Sequence, residues 1–262
     1  MKETIRDVLK LTMEDETIDE ILGGKLRIIQ EKKGYRFSLD AFLLTHFIRL
    51  KKGDHIIDLG TGSGVIAIIM GTRKECGRVV GIDVQEKLVD MAKRSVEVNT
   101  LSGKVEIRQG DVKQIEQLFP SLSFDVVIFN PPYRKLKSGR INPNDQKSIA
   151  RHEIKSTLND FLHASVYVLK KSGRVYIIYS ATRIVELLSA MKATGIEPKR
   201  MQIVHSYSVS RGEFVLVEGI KGGREELEVM PPLFIYTEGG DYTYAMSSVF
   251  RELSDLAKGA AE

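Results

Sequence analysis

Long apolar runs are missing from this chain of 262 residues, whose longest uninterrupted apolar stretch is the six residues Val65–Met70. A helix that crosses a membrane needs about 20 such residues, so the sequence predicts no transmembrane segment. The amino-terminal 20 residues are charged throughout and lack the apolar stretch of a secretory signal. Cysteine is nearly absent as well: Cys76 stands alone, which excludes a disulfide within the chain. We therefore expect a cytoplasmic protein.

Metal-ligand patterns are also missing. The histidines are dispersed along the chain without ligand spacing, and one cysteine supplies no zinc set, so we expect no metal. Apolar residues make up 42% and charged residues 28% of the chain, which is the balance of a folded protein with a sizeable core.

The excess of basic residues is small overall: the chain has 39 Lys and Arg and 35 Asp and Glu, which gives a net charge of +4. Its distribution is uneven. The segments Lys25–Arg36 and Arg134–Lys147 each hold five basic residues and one acid, so the remainder of the chain is net acidic. A charge run is either a solvated face or a binding surface for an anion, and its place relative to the site decides between them.

Short β-branched runs alternate with helical segments from residue 54 onward, a pattern typical of βαβ units and a parallel sheet. Two later runs, Met201–His205 and Phe214–Gly219, are too close for a crossover helix and predict an antiparallel pair. The predicted parallel strands are His55–Leu59, Val79–Val84, Val105–Arg108, Phe124–Phe129 and Arg174–Tyr179. The predicted helices are Val65–Lys74, Gln85–Asn99, Val112–Leu118, Leu158–Leu169 and Thr182–Thr194.

The segments that flank this pattern predict additions to it. Before residue 54, an acidic helix-like segment leads to a basic hairpin with strands Lys25–Ile29 and Tyr35–Phe37. Ser38 is expected to cap a helix that runs to about Leu50. The chain is therefore divided into an N-terminal extension (1–50) that packs on the core, a core (51–222) and a C-terminal addition (223–262) with a last helix.

The first parallel strand ends in the glycine-rich turn Asp58–Gly64. The dinucleotide fingerprint G-x-G-x-x-G fails, because its third glycine would fall at Val65. A carboxylate at the end of the strand repels phosphate but suits a ligand with an ammonium group, and glycine lets the backbone approach that ligand closely. The turn contributes the candidate ligand contacts Asp58, Gly60, Thr61, Gly62 and Gly64.

Two further acids follow the next strands. Asp83 lies 21 residues beyond Gly62, the spacing at which an acid accepts hydrogen bonds from ribose hydroxyls, although it would also serve as a helix cap. Asp111 either caps a helix or contacts an adenine amine of the ligand. Because the carboxyl ends of parallel strands meet at one edge of a sheet, these acids and the glycine turn are expected to lie together.

The fourth strand ends in Asn130-Pro131-Pro132-Tyr133. The two prolines fix the backbone and keep Asn130 from starting a helix. The Asn130 amide oxygen and a prolyl carbonyl can then each accept one N–H of a planar –NH2 group, while the ring of Tyr133 stacks on the conjugated system that bears it. Two such acceptors favour a pyramidal nitrogen and free its lone pair, so their help is greatest in the transition state. The turn predicts an amine nucleophile with no general base.

The turn Asp58–Gly64, the acid Asp83 and the turn Asn130–Tyr133 resemble the S-adenosylmethionine-binding and amine-binding motifs of class I methyltransferases that act on exocyclic amines. More narrowly, the tract Gly34–Ala41 and the tripeptide Arg151–Glu153 resemble bacterial tRNA (adenine-N6) methyltransferases that modify the valine tRNA anticodon loop. The resemblance implies an α/β, Rossmann-like fold with a seven-stranded, mostly parallel sheet, its last strand antiparallel, and helices on both faces. It also implies S-adenosylmethionine as cofactor and RNA, above all tRNA, as partner.

The same resemblance implies a role for each candidate residue. Because Arg134–Lys147 directly follows the Asn-Pro-Pro-Tyr turn and Lys25–Arg36 precedes the helix that leads to the first strand, we also expect both basic segments to flank the mouth of the site and hold RNA phosphates. Ser38 and Asp40 are candidates for contact with the methionine end of the cofactor, with helix capping by Ser38 as the alternative. Catalytic roles go to Asn130, Pro131, Pro132 and Tyr133; cofactor contacts to Asp58, Gly60, Thr61, Gly62, Gly64, Asp83, Val84, Asp111, Val112 and Asn130; substrate contacts to Arg36, Lys135, Lys137, Arg140, Arg151 and His152.

Other interpretations stay open. The Asn-Pro-Pro-Tyr turn is shared with methyltransferases of DNA adenine, of guanine N2 in RNA and of glutamine N5 in proteins, so it indicates the chemistry better than the substrate. The glutamine-modifying family carries a separate N-terminal helical domain, and the 53 residues before Asp54 favour the tRNA enzyme instead. A non-catalytic RNA-binding module with a vestigial cofactor site is the alternative of another class, and the intact acids, glycines and Asn130 argue against it.

Overall fold

A computed structural model of the protein describes residues 11–33, 37–131 and 156–257. Strands and helices in those ranges are numbered here in chain order. The strands are β1 (Glu16–Ile21), β2 (Leu26–Glu31), β3 (Asp54–Leu59), β4 (Cys76–Asp83), β5 (Val105–Gln109), β6 (Phe124–Phe129), β7 (Leu169–Ser180), β8 (Ile196–His205), β9 (Gly212–Lys221), β10 (Glu228–Val229) and β11 (Leu233–Phe234). The α-helices are α1 (Leu39–Phe47), α2 (Val65–Thr72), α3 (Glu86–Val98), α4 (Ile115–Leu118), α5 (Leu158–Val168), α6 (Ile184–Ala193) and α7 (Tyr244–Ala257).

The central sheet has the strand order β5-β4-β3-β6-β7-β9-β8. Strands β3 to β7 pair in parallel, whereas β9 is antiparallel to both of its neighbours, β7 and β8. This confirms the predicted mostly parallel sheet and its antiparallel last strand. The two-residue strands β10 and β11 extend the sheet alongside β8, in parallel to it. They escape sequence-based prediction, because so short a strand exists only through its pairing.

Helices cover both faces of the sheet and divide the core in two. Successive side chains of a strand point to opposite faces, which is why strands buried on both sides are apolar nearly throughout. Ile56 and Val126 face an apolar cluster formed with α1, α2, α3 and α7. Their chain neighbours Ile57 and Val127 face the second cluster, formed with α4, α5 and α6. Among the described residues, no helix combines the length and apolar character that crossing a bilayer requires.

The amino-terminal hairpin differs from the prediction. Strands β1 and β2 pair antiparallel, with Glu16 opposite Glu31, so the acidic segment before Ile21 is a strand and not a helix. The hairpin turns through the four residues Leu22–Lys25, of which Leu22, Gly23 and Gly24 have positive φ. Glycine adopts this conformation without steric cost. The predicted strand Lys25–Ile29 corresponds to β2, but the partner that the structure shows for it is β1. Of the other predicted strand, Tyr35 and Arg36 lie outside the described residues and Phe37 is not in a strand.

Helix α1 begins after Ser38, as predicted, but ends at Phe47 instead of Leu50. It lies buried between the sheet and α7, where the rings of Phe42 and Phe250 meet at 5.4 Å between centroids. Met246 and Leu253 of α7 lie in the same apolar cluster as α1. The amino-terminal and carboxyl-terminal parts of the described chain therefore pack together on one face of the sheet.

Candidate active site at the carboxyl edge of the sheet

The register of the parallel strands brings the predicted site residues to one edge. Leu59, the last residue of β3, pairs with Phe129, the last residue of β6. On the other side of β3, Asp58 pairs with Gly81 of β4, two residues before Asp83. The glycine turn, Asp83 and Asn130 thus follow three neighbouring strands at the same edge, as their positions in the sequence predicted.

The glycine turn depends on its glycines for its backbone conformation. Gly60, Gly62 and Gly64 have φ values of 72°, 57° and 83°, in the left-handed region that other residues rarely adopt. The N–H groups of Gly60 and Thr61 both donate to the carbonyl of Ile82 at 2.8 Å, which ties the turn to β4. A Cβ atom at Gly62 would meet no atom within 4 Å, so the surface of the turn is open at that point.

Asp58 lies beneath this turn and is only 1% exposed. The hydroxyl of Thr61 donates to its Oδ2 atom at 2.6 Å. Burial, helped by the neighbouring charge of Asp83, raises the pKa of Asp58 to about 7, against the opposing effect of hydrogen bonds from Thr61 and from the backbone of Ala67. A cation bound above the turn would favour the ionised form and lower this pKa. The carboxyl is therefore suited to a ligand with an ammonium group.

Asp83 is 7% exposed and connects the glycine turn to the start of α3. Its Oδ2 atom accepts from the backbone N–H of Gly62 at 3.0 Å, and its Oδ1 atom accepts from that of Gln85 at 2.9 Å. Burial raises the pKa of this carboxyl. Each carboxylate oxygen has a second lone pair, so these backbone bonds leave acceptor capacity for a hydroxyl. The capping contact and the predicted ribose contact are therefore compatible.

Asp111 makes its hydrogen bond within its own segment of the chain. Its Oδ1 atom accepts from the backbone N–H of Lys113 at 2.9 Å and caps the 3-10 turn Val112–Gln114, which favours the capping interpretation. The side chain of Val112 is buried, and Val84 is half-buried directly after β4. These apolar residues stand at the same edge as Asp83.

Asn130 forms a hydrogen bond with Asp40, a contact that the sequence did not predict. Its Nδ2 atom donates to Oδ2 of Asp40 at 2.7 Å. Asp40 lies in the first turn of α1, and its Oδ1 atom accepts from the hydroxyl of Ser38 and from the N–H of Ala41. Ser38 thus occupies the N-cap position, but its hydroxyl donates to the side chain of Asp40 and makes no capping hydrogen bond with the helix backbone. The place of Asp40 in the tract Gly34–Ala41 was the signal available in the sequence, and it named no partner.

Several of the predicted site residues lie outside the described ranges. Pro131 is buried next to Asn130. The whole basic segment Arg134–Lys147 lies outside the described ranges, and so do all of the predicted substrate contacts. The residues outside the described ranges are Arg36, Pro132, Tyr133, Lys135, Lys137, Arg140, Arg151 and His152.

The described part of the basic segment Lys25–Arg36 is engaged within the protein. The ammonium group of Lys25 donates to the hydroxyl of Ser254 at 2.6 Å, and Arg27 pairs with Glu20. The backbone N–H of Arg27 donates to Asn99, just past the end of α3. Because α3 starts at the carboxyl edge and runs away from it, this end of the hairpin lies far from the site. The prediction that Lys25 and Arg27 flank its mouth is wrong.

Comparisons with known proteins agree with this geometry. A family model described as a methyltransferase domain matches residues 50–216. A tRNA1(Val) (adenine(37)-N6)-methyltransferase of Porphyromonas gingivalis is 30% identical over 135 residues, which are 51% of this chain and 52% of that protein. A protein of the same name from Histophilus somni is 26% identical over 61% of this chain and 66% of its own length. The chain thus spans about half of the first relative's length.

A solved structure shows the same fold. The crystal structure of a predicted O-methyltransferase from Agrobacterium tumefaciens superposes with a TM-score of 0.66 at 20% identity, and the match covers 82% of this chain and 96% of that one. Within the described residues, no group of three or more His, Cys, Asp or Glu side chains could hold a metal ion.

Proposed function

Because this chain belongs to the methyltransferase domain family, whose model matches residues 50–216, we propose that it methylates an exocyclic amine with S-adenosylmethionine as methyl donor. The amine we propose is N6 of an adenine in tRNA. The observation that carries the proposal is the Asn130 amide at the carboxyl end of β6, one strand away from the glycine turn, with its NH2 group donating to Asp40.

The residues around the glycine turn fit the cofactor. The open surface above Gly62 gives room for a ligand against the backbone, and the buried carboxyl of Asp58 favours an ammonium group there. Asp83 has acceptor capacity for ribose hydroxyls, with Val84 and Val112 beside it for the adenine ring. When bound, the cofactor supplies a methyl group on a positively charged sulfur.

The proposed role of Asn130 is to hold the amine. An amine conjugated with a base is a poor nucleophile, because its lone pair is delocalised into the ring. The Asn130 carbonyl would accept one N–H out of the ring plane, which favours the pyramidal nitrogen of the transition state. The amine held by Asn130 would accept the methyl group that the cofactor supplies, the sulfur would keep the electrons of the broken bond, and the nitrogen would then release its surplus proton to solvent. The reaction needs no general base.

The substrate proposal is supported by the relatives. Those from Porphyromonas gingivalis and Histophilus somni bear the name tRNA1(Val) (adenine(37)-N6)-methyltransferase, and they match 51% and 61% of this chain. The basic segment Arg134–Lys147 directly follows the Asn-Pro-Pro-Tyr turn in the chain and would supply phosphate contacts beside the target base. A tRNA substrate also makes the cytoplasm the proposed place of action.

Mass spectrometry of tRNA nucleosides tests the function. We expect N6-methyladenosine to be lost from the tRNA of a deletion strain, restored by the wild-type gene and not restored by Asn130→Ala. In vitro, the purified protein should methylate tRNA that carries the target adenine and not tRNA with guanine in its place. Methyl transfer to a glutamine-bearing protein, or to guanine N2, would replace this proposal by one of the alternatives. Binding of S-adenosylhomocysteine without any methyl transfer would favour a non-catalytic module.

A further inference from the structure

We propose that Asp40 is a positioning residue that fixes the orientation of the Asn130 amide, an inference that rests on the proposed function of Asn130. The Asp40 carboxyl is 4% exposed and accepts from Asn130 Nδ2 at 2.7 Å. Its other oxygen is held by the Ser38 hydroxyl and by the N–H of Ala41 at 3.0 Å. The carboxyl is thus fixed from one side and directed at Asn130 on the other.

An asparagine needs such a partner if its oxygen is to act on an amine. Its amide carries an acceptor and a donor of nearly equal shape, and a half-turn about the last bond exchanges them. With the NH2 group in the place of the oxygen, two donors would face each other and the amine would be repelled. An ionised carboxylate has no proton to donate, so it pairs with the NH2 side of Asn130 and opposes the flipped form. Asp40 therefore selects the orientation that can accept the amine.

The orientation is useful only if Asp40 itself stays in place, and the far end of α1 explains why it does. Three arginines donate to carbonyls of the last helical residue and of the two residues that follow it, the region where a helix leaves its last carbonyls without partners. Arg174 donates to the carbonyl of Arg49 at 2.6 Å and Arg200 to that of Phe47 at 2.7 Å. The third, Arg73, donates to the carbonyl of Ile48 at 2.9 Å. Their positive charges also complement the negative end of the helix dipole.

These arginines belong to the frame of the sheet. Arg174 lies on β7 and Arg200 on β8, while Arg73 follows directly after α2. Helix α1 is therefore tied at its carboxyl end to the central sheet, and one of the strands that hold it, β7, is the direct neighbour of β6. Its first turn is held against the end of β6 by the Asp40–Asn130 contact. The helix acts as a rigid spacer between the arginines and the Asn130 turn.

The charge of Asp40 adds a second effect. A hydrogen bond to an ionised group is stronger than a neutral one, and neighbouring hydrogen bonds polarise each other. Donation from Nδ2 to a carboxylate shifts electron density toward the amide oxygen of Asn130. That oxygen becomes a better acceptor as the amine nitrogen gains positive charge. The contribution of Asp40 should therefore appear in kcat more than in the KM for tRNA.

The test combines single variants with an exchange of the two side chains. Asp40→Asn removes the charge at constant shape and lets the Asn130 amide take either orientation, so we expect kcat to fall by about tenfold to a hundredfold. Affinity for S-adenosylhomocysteine and the melting temperature should stay close to wild type. Asn130→Asp places two carboxyl groups together and should lose more activity. The double variant Asp40→Asn with Asn130→Asp restores one carboxylate and one amide, and it should regain about tenfold over Asn130→Asp alone.

A matched control separates this role from helix capping. Asp160 also lies in the first turn of a helix, α5, and accepts from the hydroxyl and the N–H of its N-cap residue Thr157. Asp160→Asn removes the same kind of local contact and should leave kcat unchanged. An equal loss of kcat in Asp160→Asn and Asp40→Asn, or no recovery in the double variant, would overturn the proposal. A fall in cofactor affinity as large as the fall in kcat would also overturn it, because Asp40 would then act on the cofactor.

A measurement without turnover distinguishes this inference from the proposed function. The side-chain NH2 protons of Asn130, identified in an NMR spectrum by their absence in Asn130→Ala, should exchange slowly in the wild type and faster in Asp40→Ala. If wild-type protein methylates no tRNA but shows this protection, the function falls and the positioning contact stands. If the protons exchange equally fast in both proteins, the positioning role is rejected whatever the substrate.

Discussion

The glycine turn and the Asn130 turn lie at the same edge of the sheet, but contacts of different range hold them. Asp58 is bonded to Thr61, three residues away, and Asp83 reaches back only to the turn that precedes its own strand. Asn130 is bonded to Asp40, 90 positions earlier in the chain. The first half of the site can form within one βαβ unit. The second half requires a helix from outside that unit to be in place.

This difference predicts that damage to the two halves will have separate signatures. Changes in the glycine turn or Asp83 should weaken cofactor binding or the fold of the turn. Changes at Asn130 should leave the cofactor bound and stop the transfer. A variant that lost cofactor affinity and methyl transfer to the same extent would show that the two halves of the site do not act separately.

The largest effect is expected for Asn130→Ala. Loss of a fixed hydrogen-bond partner of the reacting group costs about 10²–10³-fold in turnover where such partners have been removed. Affinity for S-adenosylhomocysteine, measured by calorimetry, should fall far less than turnover. Single-turnover methylation of tRNA at saturating cofactor measures the loss. Undiminished turnover would remove Asn130 from the mechanism, and a matching loss of cofactor affinity would merge the two halves of the site.

Asp83→Ala should have the opposite signature. Removal of a charged acceptor for hydroxyl groups costs ~1.5–3 kcal/mol, or about tenfold to a hundredfold in cofactor affinity. Turnover at saturating cofactor should change much less. Asp111→Ala is the matched control, because this acid also follows a strand at the same edge but caps a 3-10 turn. Calorimetry should show a clearly smaller loss for Asp111→Ala, and equal losses would argue against a ribose contact at Asp83.

Gly64→Ala tests the conformation of the turn. Gly64 has a φ of 83°, and a Cβ atom there would lie 3.0 Å from that of Ala92 on α3. A left-handed conformation costs an ordinary residue ~1–2 kcal/mol, so the free energy of unfolding in urea should fall by at least this amount. Gly103→Ala is the control, since a Cβ atom at Gly103 would meet nothing within 4 Å. Equal stability of the two variants would show that the turn tolerates another backbone conformation.

The pH dependence of cofactor binding should report the buried carboxyl of Asp58. Its pKa is raised to about 7 by burial, and a ligand with an ammonium group favours the ionised form. Above that pH the carboxyl is already ionised and affinity is full. Below it a proton must leave on binding, so affinity should fall, by up to about tenfold per pH unit.

Calorimetric titration with S-adenosylhomocysteine from about pH 8 down to about pH 6 measures this fall, across the raised pKa of the carboxyl. Asp58→Asn has no proton to release and should bind more weakly, with affinity that changes little over the same range. A flat wild-type profile would show that Asp58 stays in one protonation state on binding.

The same contrast in range explains what could be predicted from the sequence. Asp58–Gly64 and Asp83 were predicted at one edge because strand ends, glycine spacing and parallel pairing are local signals, and the structure confirms this edge. The antiparallel β9 was predicted because the short distance from β8 leaves no room for a crossover helix. These features depend on residues close together in the chain.

The features that the sequence did not predict depend instead on residues far apart in the chain. The contact between Asp40 and Asn130 joins distant segments, and no spacing rule reports it. The segment of strand β1 was predicted to be helix-like from its acidic pattern, whereas Glu16 is buried against Arg94, 78 positions later. Strands β10 and β11 consist of two residues each and follow from their pairing with β8. In each case a tertiary contact decides a structure that local propensity does not specify.

The arginines at the end of α1 also bear on the order in which a growing chain can complete its site. Arg200 donates to a carbonyl 153 positions earlier, and Arg174 to one 125 positions earlier. The glycine turn and Asp83 need only β3, α2 and β4, which leave the ribosome well before β7 and β8. Helix α1 is synthesised before them but acquires its last anchor when β8 emerges. During translation, we therefore expect the cofactor half of the site to form early and the amine half to await more than a hundred further residues.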